Sequence, residues 1–143
     1  MNVTLKKAVE QKIRANARRG ARFLDTISDD WFKPHNLAIS KLEMTNACSC
    51  VWGQLRLTDV GQHEKFKEKM DVINGTATPG YVPAYDEDDN GSCHVDKRAE
   101  WNSMMTDEED ELYSAVAAEE WRILQDEWES LIRIRRNAAR VGV

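Results

Sequence analysis

Apolar residues recur every three or four positions at both ends of the chain and lose that rhythm between them. Near the start, Leu5, Val9, Ile13, Ala17, Ala21 and Leu24 share one helical face, with lysines and arginines on the other. The spacing predicts a helix from about Thr4 to Ile27. Gly20 lies inside it, costs about 1 kcal/mol relative to alanine, and marks a break or a close approach. Ser28-Asp29-Asp30 ends the run, and Pro34 suits the first turn of a second, short helix. From Asn36 to Met44, the residues Leu37, Ile39, Leu42 and Met44 fit neither period, so no element is assigned there. Thr45-Asn46 is a capping pair for a third helix from Cys50 to about Thr58, with Gly53 a soft point. A fourth, lysine-rich helix is expected from Gln62 to Ile73, turning Phe66, Met70 and Ile73 inward and stopping at Asn74-Gly75.

The closing helix is the clearest element. Thr106-Asp107-Glu108-Glu109 forms a capping box, in which hydroxyl and carboxylate satisfy reciprocal backbone donors. Beyond it, Leu112, Val116, Ala117, Trp121, Leu124, Trp128, Leu131 and Ile132 hold one stripe to about Asn137 or Ala138. Such a helix is roughly 45 Å long at 1.5 Å per residue, so one end projects or a partner covers it. Trp121, Leu124, Trp128 and Leu131 fall on an a/d seam. Trp121, nearer the helix centre, is expected against the opening helix, whereas Trp128 and Leu131 are candidates for an interface with a partner or a second copy. Between the fourth helix and this one, Thr76 to Asp96 contains Pro79, Gly80, Pro83 and Gly91 without periodicity and reads as a long acidic loop.

The expectation is an all-α, or nearly all-α, compact bundle of about four to five helices spanning residues 1–143 as one domain. The first half is expected to supply Phe23, Leu24, Trp31, Val51, Leu55 and Phe66 to the core. Leu112, Val116, Trp121, Leu124, Trp128 and Leu131 supply the rest. At 143 residues and 16.4 kDa the chain is the size of one domain. A hydrophobic share of 41% beside 31% charged residues excludes collagen-like, rod-like and fully disordered classes. No apolar run approaches the roughly 18 residues of a membrane span, so no membrane partner is expected. Met1 to Lys7 is followed by no apolar stretch of the secretory kind. A cytoplasmic setting is therefore expected, with reduced thiols for the three cysteines Cys48, Cys50 and Cys93. The Asn2, Asn74 and Asn90 glycosylation patterns then read as accidents of composition.

Net charge is −5, but its distribution is uneven. Lys6, Lys7, Lys12, Arg14, Arg18, Arg19 and Arg22 face only Glu10 in the opening stretch. Ala84 to Glu111 is strongly acidic, and the chain ends basic at Arg133, Arg135, Arg136 and Arg140. Lys12, Arg14, Arg18, Arg19 and Arg22 are candidates for phosphate contact, against the plainer reading of a solvated helix face. The acidic blocks resemble a nucleic-acid mimic. However, Asp107 to Glu111 at a helix start and the arginines at its end also follow from the macrodipole.

Asp86-Glu87-Asp88-Asp89-Asn90-Gly91 opens like a calcium loop, with Asp86, Asp88 and Asn90 as oxygen ligands. Its twelfth position is Lys97 where a bidentate glutamate is needed, and Pro79 and Pro83 preclude an entering helix, so it is not an EF-hand. Cys48, Cys50, Cys93 and His94 could together supply soft zinc ligands, but the spacing is poor and buried thiols are the plainer reading. Pairing of a cysteine with His35, His63 or His94 for catalysis has no local signature. No cofactor is called for, and a non-enzymatic role is expected.

Arg19-Gly20-Ala21-Arg22-Phe23-Leu24-Asp25, then Trp31, then Cys48-Ser49-Cys50-Val51-Trp52-Gly53-Gln54-Leu55 resembles a group of small proteins encoded by actinobacterial phages. The likeness covers about residues 15 to 57, and loosely the closing helix. It implies a phage accessory protein in a bacterial cytoplasm and supplies no catalytic residues. Binding to a host or phage protein is the expected function. A nucleic-acid-associated regulator using the opening helix is the first alternative, and a metal-binding module or enzyme the second.

Overall fold

A computed structural model describes residues 4–5, 7–46, 48–67, 73 and 107–141. The described residues are all-α in character and contain no strand. The elements are α1 (Lys7–Ile27), a 3₁₀ turn at Ile39–Lys41, α2 (Val51–Leu55), a second 3₁₀ turn at Val60–Gln62, and α3 (Asp107–Val141). Among the described residues that is three α-helices with given bounds, and Ile73 is a further helical position. No helix among the described residues is long and apolar enough to cross a membrane.

The two long helices follow from their apolar periods. On α1, Val9, Ile13, Ala17, Gly20, Ala21 and Leu24 are all buried, so Gly20 lies within an unbroken helix. On α3, Val116, Ile123, Leu124, Trp128, Leu131 and Ile132 are buried. Arg14 and Arg18 meet Glu127, and Asp25 meets Arg135, so residue numbers rise together and the helices run parallel. The 35 residues of α3 span roughly 52 Å, and α3 starts about three turns before α1 does. The first stretch of α3 therefore extends beyond the start of α1.

The order of burial along the α3 stripe differs from expectation. Trp128 is fully buried, edge-on to Trp31 at 6.1 Å between centroids, whereas Trp121 is only half-buried. Trp128 and Leu131, the interface candidates, both lie in the core. Phe23, expected in the core, packs against it while half-buried.

The segment after α1 forms turns, not the short helix expected at Pro34. Only one α-type bond forms there, from Leu37 N–H to the Lys33 carbonyl. A longer helix would need the Phe32 and Leu37 carbonyls as acceptors, and both instead accept from Arg136. Next, Ala38 exchanges both backbone groups with the Gln54 amide. Leu42 and Met44 point inward with Lys41 and Glu43 outward, and the Gln125 amide bonds the Leu42 carbonyl and the Met44 N–H. Two glutamines therefore satisfy this stretch in place of helix or sheet partners.

α2 is shorter than expected, and its cap is Cys50, whose Sγ accepts from Gly53 N–H at 3.3 Å, rather than Thr45-Asn46. Asn46 instead shapes the preceding turn, its carbonyl accepting from Cys50 N–H. Over the described part of the fourth helix expected from Gln62 to Ile73, Gln62 ends the 3₁₀ turn, residues 63–67 form a bend and turns, and Ile73 is helical. Phe66 and Ile73 are nonetheless buried, with Phe66 stacked on Trp52. Gly61 is required here, because a Cβ would lie 2.4 Å from the Arg56 carbonyl oxygen. Met70, the Thr106 cap, the Leu112 side chain and the 76–96 loop lie outside the described residues.

Candidate functional site

The basic residues of α1 divide on inspection. Glu127, nearly buried, accepts from Arg14 Nη1 at 3.0 Å through one oxygen and from Arg18 Nε at 3.1 Å through the other. Arg14 also donates to Glu10, and its hydrogen bonds to Glu10 and Glu127 raise its pKa further above the usual guanidinium value. Two of the five residues expected to contact phosphate are thus tied to α3. Arg19 and Arg22 are exposed, and Lys12 is half-buried.

Cys48 is exposed and Cys50 buried as a helix cap. Asp86, Asp88, Asn90, Cys93 and His94 lie outside the described residues. Among the described residues, no group of three or more histidine, cysteine or acidic side chains is arranged to hold a metal.

A concave surface forms where the turn after α1 meets the end of α3. Asp25 sets this junction. It accepts from Trp31 Nε1 at 2.9 Å and from Arg135 through both oxygens, at 3.0 and 2.7 Å. Burial alone would raise the Asp25 carboxyl, but the bonds from Arg135 and Trp31 outweigh it and hold its pKa below the ordinary value. Arg135 also lies over the Trp31 ring, which contacts Phe32 edge-on at 5.7 Å. The chain from Trp31 to Phe32 is thereby pinned against α3.

The result is an open groove of about 640 Å³, within the roughly 300–1,000 Å³ of ligand clefts. Phe32, Pro34, Ile39 and Ala139 supply its apolar surface, and Lys33, Arg133, Arg136 and Arg140 its charge. Among the described residues, no acidic side chain lines it. Arg136 is half-buried, and burial followed by the neighbouring charge of Arg133 lowers its pKa from the usual guanidinium value. Its bonds to the Phe32 carbonyl (2.7 Å) and to the Leu37 carbonyl fix its position without neutralising it. Arg140 donates to Asn137, also without neutralisation, and exposed Arg133 has Glu129 at 3.5 Å.

This groove is not among the candidate sites read from the sequence. Its arginines are visible at the end of the chain, but a helix dipole explains them equally well. The apolar part comes from Phe32 and Ile39, which no local pattern places beside them. Compared with protein-family models, curated proteins and solved structures, the chain matches none.

Proposed function

We propose that this chain is a non-enzymatic phage accessory protein that acts in the bacterial cytoplasm by binding a host or phage protein and altering its activity. The observation that carries the reading is the groove between the Phe32–Ile39 segment and the end of α3, which joins apolar surface to the positive charge of Lys33, Arg133, Arg136 and Arg140, of which only Arg133 has a carboxylate partner among the described residues. The resemblance across residues 15–57 supplies the setting. Ile134, next to Arg133 and 60% exposed, offers a further apolar contact on the same stretch of helix. Such a mixture suits protein recognition, where desolvated apolar and arginine contacts provide most of the binding energy.

Affinity purification of the tagged protein from an expressing actinobacterial host tests the reading. One protein should co-purify in constant ratio, withstand nuclease treatment, and be lost from an Arg133→Glu/Arg140→Glu variant. Co-purification of nucleic acid alone, released by nuclease or moderate salt, would favour the regulator reading through α1 instead.

A further inference from the structure

Resting on the reading just given, we propose that the groove takes a short acidic segment of the partner protein, in which one large apolar side chain is flanked by carboxylates. Charge complementarity argues for this occupant first. The chain carries −5 overall, yet among the described residues four cations and no acid line this groove. A helix dipole accounts for basic residues near a helix end, Arg136 included, but not for Lys33, which arrives from another segment.

The apolar surface narrows the choice. Pro34, Ile39 and Ala139 offer hydrocarbon that a phosphate chain would leave unused, whereas a leucine or phenylalanine side chain would cover it. Phe32 is only 8% exposed, so its ring has no open face for stacking a base. Arginine forks also match planar carboxylates in bidentate fashion. Arg133 and Arg140 lie seven residues apart on α3, roughly 10 Å along the axis. Carboxylates on both sides of one anchoring residue span that distance. A long polyanion would instead run on from this local patch over a net-acidic molecule.

Fluorescence anisotropy of labelled peptides with the full chain tests the proposal. The probes are Gly-Glu-Glu-Phe-Glu-Glu-Gly, its Phe→Ala form, its Glu→Lys form, and a single-stranded oligothymidine of equal charge. The acidic phenylalanine peptide should bind, weakening roughly tenfold or more with alanine, as loss of one buried large side chain implies. The lysine form should not bind, and the oligothymidine should bind more weakly. Arg140→Glu and, separately, Lys33→Glu should each weaken the phenylalanine peptide roughly tenfold while circular dichroism stays unchanged; Arg19→Glu on α1 should not. Equal binding of the phenylalanine and alanine peptides, tighter binding of the oligothymidine, or indifference to both groove substitutions would overturn the proposal. A host protein captured equally by wild type and Arg140→Glu would also overturn this occupant while leaving the protein-binding reading intact. Peptide binding as described, with no protein captured from the host, would uphold the groove chemistry and sink that wider reading.

Discussion

Arg14 and Arg18 on α1 and Arg133, Arg136 and Arg140 on α3 are similar residues on two parallel helices, yet their surroundings differ. The first pair converges on Glu127, whose oxygens each accept one guanidinium, with Glu10 adding a further carboxylate. The second set meets mostly backbone and amide oxygens, which position a cation without cancelling its charge. A guanidinium facing a nearly buried carboxylate joins helices together. One held by carbonyls at the edge of an apolar groove keeps its charge for a ligand. The number of arginines distinguishes the regions less than what each arginine faces.

The largest expected effect lies where the two regions join. Trp128 is one residue beyond Glu127 and packs on Trp31, which anchors the groove segment. Trp128→Ala should cost about 3–5 kcal/mol, by urea denaturation, and Trp121→Ala distinctly less. Equal losses would mean that burial along the stripe is not graded as described.

Glu127→Ala comes next. It leaves Arg14 with Glu10 and lets Arg18 turn to water, so the expected loss is about 1–3 kcal/mol rather than the full cost of a stranded buried charge. Arg136→Met should cost about 1–2 kcal/mol, because the Phe32 and Leu37 carbonyls lose their donor. The same substitution should loosen the turn segment, seen as faster amide exchange near Leu37. A stability loss without that local change would place the role of Arg136 elsewhere.

These contrasts were unequally legible in the sequence. The apolar periods of α1 and α3 persist over many turns, so both helices can be read without tertiary information. Leu37 to Met44 cannot, because Gln54 and Gln125 satisfy its backbone from distant positions. Likewise, spacing places Trp121 and Trp128 on one stripe, but their burial depends on where Trp31 lands. The groove was half legible: its arginines stand in plain view, while the arrival of Phe32, Lys33 and Ile39 is a product of the fold. The expected α1 phosphate site failed to anticipate Glu127, which the α3 period marks only as a polar residue beside the stripe.

A smaller effect concerns acidity at the junction. The folded Asp25 carboxyl has its pKa below the ordinary value of 3.8. Its stabilising contribution is therefore complete above that ordinary value and is lost as pH falls through the lower folded one. Asp25→Asn should melt below wild type near pH 6, with the gap closing as pH falls below about 3.8. Parallel melting curves across that range would show that the Arg135 pair contributes nothing.

The contrast between the two arginine sets is tested most directly by one matched pair of denaturation curves. Arg14→Met/Arg18→Met and Arg133→Met/Arg140→Met each remove two positive charges from the parallel helices. The first variant should lose about 1–3 kcal/mol, because it leaves Glu127 nearly buried without its partners. The second should stay within about 0.5 kcal/mol of wild type, as exposed surface substitutions do. Equal losses, or a larger loss from the second variant, would contradict the assignment of Arg14 and Arg18 to the fold and of Arg133 and Arg140 to a ligand.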